Sequence, residues 1–126
     1  MKTNNIGYFG NVWIRENSLE KIGDMSKGHK HHFDHISILS KGTVEVSVNG
    51  AENKVFTAPC FIVIKKDHNH VFKALTDDVF WFCVFALRDI DGNTTDIYSG
   101  DNSPYGRADA SPPEHLINLY RKTVQE

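Results

Sequence analysis

The chain of 126 residues has only two cysteines and four prolines, and its charges nearly cancel, with 14 Lys and Arg against 16 Asp and Glu for a formal net charge of -2. Cys60 and Cys83 both lie in apolar, strand-like runs and not in a CxxC pair. This argues against a disulfide framework or zinc-finger spacing and fits buried, reduced thiols. Basic residues are scattered, not gathered into a stripe, so the footprint of a phosphate-backbone binder is missing. No apolar run approaches the roughly 20 residues of a membrane-spanning helix, and Met1-Lys2-Thr3-Asn4-Asn5 leads into no signal-peptide hydrophobic stretch. The expected compartment is therefore cytoplasmic, with neither nucleic acid nor membrane as a partner. Also absent are phosphate loops of the GxGxxG or GxxxxGK type, the GxSxG nucleophile elbow and the HExxH helix. Their absence removes the commonest nucleotide-binding, covalent-catalysis and helical zinc readings.

What is present is an ordinary globular composition, 40% apolar and 11% aromatic, at a length suited to one domain over residues 1–126. From about residue 10 to residue 88, short strand-like runs are separated by turn residues, the spacing of a sandwich or barrel. The fold class read from this is all-β. The expected strands are Asn11 to Glu16, Asp34 to Ser40, Thr43 to Val48, Lys54 to Thr57, Phe61 to Ile64, His70 to Leu75 and Val79 to Leu87. Lys41-Gly42 and Asn49-Gly50 provide turns. Val79 to Leu87 is apolar without alternation, which implies cover on both faces, the outer one by a terminal segment or a second subunit; a homodimer is expected. Residues 89 to 110 read as a long loop. Ser111-Pro112-Pro113-Glu114 then caps a short amphipathic C-terminal helix carrying Leu116, Ile117, Leu119 and Tyr120.

Six of the seven histidines fall in two windows, His29, His31, His32 and His35 in one and His68 and His70 in the other. Strand side chains alternate, so His29, His31 and His35 share a parity that His32 lacks, and His70 must arrive from a neighbouring strand. Three or four converging imidazoles make a site for one divalent transition metal ion: iron, manganese, nickel, cobalt, copper or zinc. His32, of the other parity, and His68 are expected at the surface or behind the ligands, and His115 near the helix start is unrelated.

The run Gly23, five residues, His29-Lys30-His31, three residues, His35, six residues, Gly42 resembles the first motif of the cupins, G-x5-H-x-H-x3-E-x6-G, with histidine in place of glutamate. Their second motif is matched by His70, whereas Lys65, Asp67 and Ala74 replace its proline, glycine and asparagine. The resemblance is to a small single-domain cupin and implies a double-stranded β-helix, or jelly-roll barrel, with a metal near one mouth. It implies His29, His31 and His70 as the histidine ligands, with His35 in the carboxylate position, where it either completes a four-histidine site or turns aside. Open metal positions would serve a small dioxygenase, isomerase or lyase acting on a compact chelating polar or anionic molecule. The alternative is a non-enzymatic cupin that binds a small carbohydrate or carboxylate ligand. Asp34, Asp67 and Tyr105 are the nearest acid or base candidates, but each reads better as a strand-end, turn or loop residue, and none is assigned a catalytic role. Phe33, Phe61, Phe72, Phe80, Trp81 and Phe82 supply pocket or core.

Overall fold

The computed structural model of the protein describes residues 1–28, 30–49, 51–89, 91–94, 114–115, 117–118 and 124–125, the last two by their backbone. His29, Tyr105, most of the expected loop 89 to 110 and most of the expected C-terminal helix lie outside these residues.

Among the described residues the chain forms ten strands: β1 (Lys2–Phe9), β2 (Val12–Leu19), β3 (Lys30–His31), β4 (His35–Lys41), β5 (Thr43–Val48), β6 (Lys54–Thr57), β7 (Cys60–Ile64), β8 (His70–Ala74), β9 (Val79–Ala86) and β10 (Val124–Gln125). They form a five-stranded sheet of order β1-β2-β9-β4-β7, a three-stranded sheet of order β6-β5-β8, and a two-stranded pair of β10 with β3. Every named pairing is antiparallel. The first expected strand, Asn11 to Glu16, is longer than anticipated and is joined by β1, which the sequence reading left out, so the sheet begins well before residue 10. Gly50 of the expected Asn49-Gly50 turn lies outside the described residues; β5 and β6 on either side of it are paired, with Lys54 opposite Val46.

The two larger sheets pack face to face. One apolar cluster takes Leu19, Leu39, Ile62, Ile64, Val79 and Trp81 from the first sheet and Val44, Val46, Phe72 and Ala74 from the second. A second cluster of Tyr8, Trp13, Phe33, Phe85 and Leu87 fills the other end. The period of two explains the selection, since Trp13, Arg15, Asn17 and Leu19 of β2 all point inward and lie opposite Phe85, Cys83, Trp81 and Val79 of β9. The outer half of β9 is only partly covered. Beside it the outward residues of β4 and β7 are open, with Ile36 47%, Val63 57% and Phe61 76% exposed.

The chain passes from the first sheet to the second between β4 and β5 at Gly42. Its φ of +91° lies in the left-handed region, and a Cβ there would meet Thr76 Oγ1 and Val79 Cγ2 at 2.8 Å. Strain and overlap add, so Gly42→Ala is expected to lower stability by about 2–3 kcal/mol. Urea unfolding measures this, and an unchanged midpoint would show that the crossover relaxes freely.

Candidate metal centre

The segment before β3 runs along the free edge of β8. Gly23 N donates to Ala74 O at 2.9 Å, Ala74 N to Asp24 O at 2.8 Å and Ser26 N to Phe72 O at 2.8 Å, and Phe72 N donates to Ser26 Oγ at 2.8 Å. Two residues on, a Cβ at Gly28 would meet the Asn69 side chain at 2.6 Å. Any larger residue would require the Asn69 amide to turn aside, and the close approach brings the start of the histidine-rich segment against the residue preceding His70.

The turn between β7 and β8 is tied to β3 and the start of β4. Asp67 N donates to His31 O at 2.9 Å, and Lys66 N donates to Asp34 Oδ1 at 2.7 Å. That hydrogen bond is the main reason the Asp34 carboxyl is held below its usual range. Asp34 is thus engaged in holding a turn. Asp67, in the position of the second motif's glycine, keeps a left-handed conformation with φ of 60°, one that aspartate tolerates better than most side chains. Its carboxylate lies outside the barrel, 3.8 Å from His32 Nδ1.

His31 and His35 are buried on the inner face, at a ring separation of 4.5 Å. Phe85 lies 5.9 Å from His31 and 5.7 Å from His35. His70 begins β8 opposite Val48. All three histidines line one cavity of about 40 Å³, together with Met1, Arg15, Asn17, Ser26, Ser37, Ile64, Phe72, Trp81 and Cys83. His32 and His68 are exposed.

A short relay orients His70. His68 Nδ1 contacts Lys66 O at 2.7 Å, and His70 Nδ1 contacts His68 O at 3.0 Å. A carbonyl oxygen only accepts, so the His70 proton sits on Nδ1 and Nε2 keeps its lone pair, the form that binds metal. Burial pushes the His70 pKa below its ordinary 6.5, against the opposing pull of the His68 carbonyl. The donor chemistry therefore fits a divalent ion: neutral imidazoles from three elements on one cavity. Among the described residues no group of three His, Cys, Asp or Glu side chains is placed to hold an ion, and His29 lies outside those residues.

The sequence reading missed the polar wall of the same cavity: Arg15, Asn17, Ser37 and Cys83. Asn17 Nδ2 and Ser37 Oγ each lie 3.6 Å from Cys83 Sγ. Burial pushes the Cys83 thiol up, so it remains protonated near neutrality. Both cysteines are free thiols. The signal for this wall was parity, because Arg15 and Asn17 stand between inward Trp13 and Leu19.

His70 sets a pH dependence of known sign. Its folded pKa is depressed, so the stability it contributes is complete above the unfolded value of about 6.5 and is lost as pH falls below that toward the folded pKa. The metal-free protein should lose urea resistance in that window, and His70→Gln should flatten the profile there. A profile identical in the variant would assign the acid sensitivity to other groups.

No protein-family model matches the sequence, and no curated protein matches it. Among the described residues no helix is long and apolar enough to cross a membrane. Solved structures do match. An RmlC-like cupin family protein with a double-stranded β-helix fold from Methanocaldococcus jannaschii aligns at TM-score 0.59 and 15% identity, over 68% of this chain and 78% of that one. KdgF from Halomonas sp. aligns at TM-score 0.58 and 20% identity, over 71% and 82%. The DMSP lyase DddQ from Ruegeria pomeroyi aligns at TM-score 0.54 and 12% identity, over 74% and 45%. The antiparallel sheets, their topology and these likenesses agree on one architecture, the double-stranded β-helix, and the protein is a small cupin-fold protein.

Proposed function

We propose that the protein is a metal-binding cupin that holds one divalent transition metal ion through His29, His31, His35 and His70 and acts on a compact, chelating, polar or anionic small molecule. The observation that carries this is the arrival of His31, His35 and His70 on one interior cavity. When bound, the ion would supply Lewis-acid polarisation of a chelated oxygen. The chain's own residues do the rest. The imidazoles hold the ion in neutral form, the His68 carbonyl keeps the His70 proton on Nδ1, and Phe85, Trp81 and Ile64 exclude water and keep the local dielectric low. Dioxygenase, isomerase and lyase chemistry all suit such a centre, and two neighbours in fold are DMSP lyases. A non-enzymatic binding role is favoured by one feature: the described residues lining the cavity include no carboxylate, which leaves only imidazoles and a thiol to move protons.

Metal analysis of untagged protein tests the centre. His31→Gln and His70→Gln should each lower metal affinity by more than about tenfold, a loss already produced by removing residues that merely orient a ligand. Full metal retention in both variants would overturn the assignment. With histidine in the carboxylate position all donors are neutral and the ion keeps its full +2 charge. His35→Glu should therefore retain metal while weakening anionic chelators relative to neutral ones, and His35→Ala without effect on either would leave the other three histidines as the ligands. Oxygen uptake, or loss of a chelating substrate, separates enzyme from binding protein.

The outer face of the five-stranded sheet supports a second part of the reading, that the protein is a homodimer. Ile14, Val84, Ile36 and Val63 form one row across β2, β9, β4 and β7, and Phe82, Ile38 and Phe61 form the next. Contiguous apolar rows of this kind mark interfaces. Sedimentation at micromolar concentration should show a dimer that Phe61→Glu dissociates, and a wild-type monomer would sink the claim.

A further inference from the structure

The three histidines on the cavity are not held alike. His35 starts β4, which is flanked by β9 on one side and β7 on the other. His70 starts β8, which lies between β5 and the segment Gly23–Ser26. His31 stands on β3, a strand of two residues whose strand partner, β10, is also two residues long. On the other side of β3, Asp67 N donates to His31 O at 2.9 Å. Successive peptide groups of a strand point to opposite sides. With His31 O turned toward Asp67, Lys30 is the residue whose backbone faces β10, and its partner there is Gln125.

A second contact reinforces this pairing. Ile117 packs against the cluster of Tyr8, Trp13, Phe33, Phe85 and Leu87. Two rings of that cluster also flank the His31 imidazole, Phe33 at 5.3 Å and Phe85 at 5.9 Å. Ile117 and β10 thus reach both the rings around His31 and the backbone beside it. So short a pairing belongs to the low-stability end of a structure, which opens locally without global unfolding. By contrast, β2 and β9 are paired from Val12 opposite Ala86 to Leu19 opposite Val79. Release of β10 would loosen His31 while His35 and His70 stay on their sheets.

We propose that β10, together with Ile117, is a strap that controls metal exchange at the cavity. Docked, it fixes His31 against the ion; released, it lets His31 turn away and the ion leave. This rests on the metal-binding reading above and adds to it a means of regulating the same site. The coupling is reciprocal, so an ion held through His31 tightens the docking of β10 by the factor by which docking tightens the ion.

Two variants test the strap. Q125P removes the backbone N–H that faces Lys30, and I117D removes the apolar anchor. Transfer of metal from loaded protein to ethylenediaminetetraacetate should run about fivefold or more faster in each variant than in wild type, the lower range of a coupling between sites. Amide exchange separates this from general weakening. The Asp67 N–H, donor to His31 O, reports the attachment of β3: metal should slow its exchange in wild type, and Q125P should hasten it, while the Val44 and Val46 amides of β5 keep their wild-type protection. Equal release rates in wild type and both variants overturn the proposal, as does loss of β5 protection in step with that of Asp67. If one variant does not fold, the other decides. If wild type holds no metal, the metal-binding reading fails separately, and the strap is judged on the metal-free protein: hastened Asp67 exchange in Q125P supports β10 as the element that holds His31, and an unchanged rate overturns it.

Discussion

Backbone pairing of the segment Gly23–Ser26 with the edge of β8 is the interaction on which the candidate centre depends. It extends the three-stranded sheet by an irregular fourth member and delivers the histidine-rich segment to the strand that carries His70. The turn between β7 and β8 completes the attachment, because Asp67 N binds His31 O and Lys66 N binds the Asp34 carboxylate. These contacts are between backbone groups or use a short side chain, so the relative positions of His31 and His70 are set by main-chain geometry, not by packing of long side chains. Such a frame is stiff, and stiffness is what a site needs when its ligands come from distant parts of a chain.

The interior is divided by chemistry. One apolar cluster closes each end of the barrel, and the polar cavity lies at the seam between them, with Ile64, Phe72 and Trp81 from the first cluster and His31 and His35 packed against Phe85 of the second. Arginine, asparagine, serine and histidine at inward positions replace residues that would have packed as core. Each such position gives up burial of apolar area, at about 25 cal/mol per Å², and requires its own hydrogen bonds. A fold accepts that loss where a site is built, and the concentration of these departures in one cavity marks it as the candidate site independently of any motif.

Much of this was legible in the sequence because burial on one face imposes a parity. His31, Phe33 and His35 face inward and His32 faces out, as the period of two requires, and Val44 and Val46 of β5 alternate in the same way. The motif spacing pointed to the barrel. Less visible was β1, whose opening Lys-Thr-Asn-Asn carries no apolar alternation and which owes its strand to pairing with β2. Arg15 and Asn17 passed unremarked because polar residues in a strand are usually read as its outer face, although their parity with Trp13 and Leu19 placed them inside. The substitution of Asp67 for glycine looked like a departure from the family pattern, yet the backbone there keeps the left-handed turn that glycine would have taken. The short pairing of β10 with β3 had no sequence signal at all, since two residues carry no period.

That last pairing sets an order of assembly. Val124 lies opposite His31 and Gln125 opposite Lys30, 93 positions apart in the first pair, so distant parts of the chain must meet before β3 has a strand partner. At ribosomal rates of roughly 5–20 residues per second, about 5–20 seconds pass between synthesis of His31 and of its partner. Once Ala86 has been made, part-way through that interval, the strands of both larger sheets are available, and the barrel can form around a histidine segment still lacking its flank. Closure beside His31 therefore follows synthesis of the other described residues of the cavity wall.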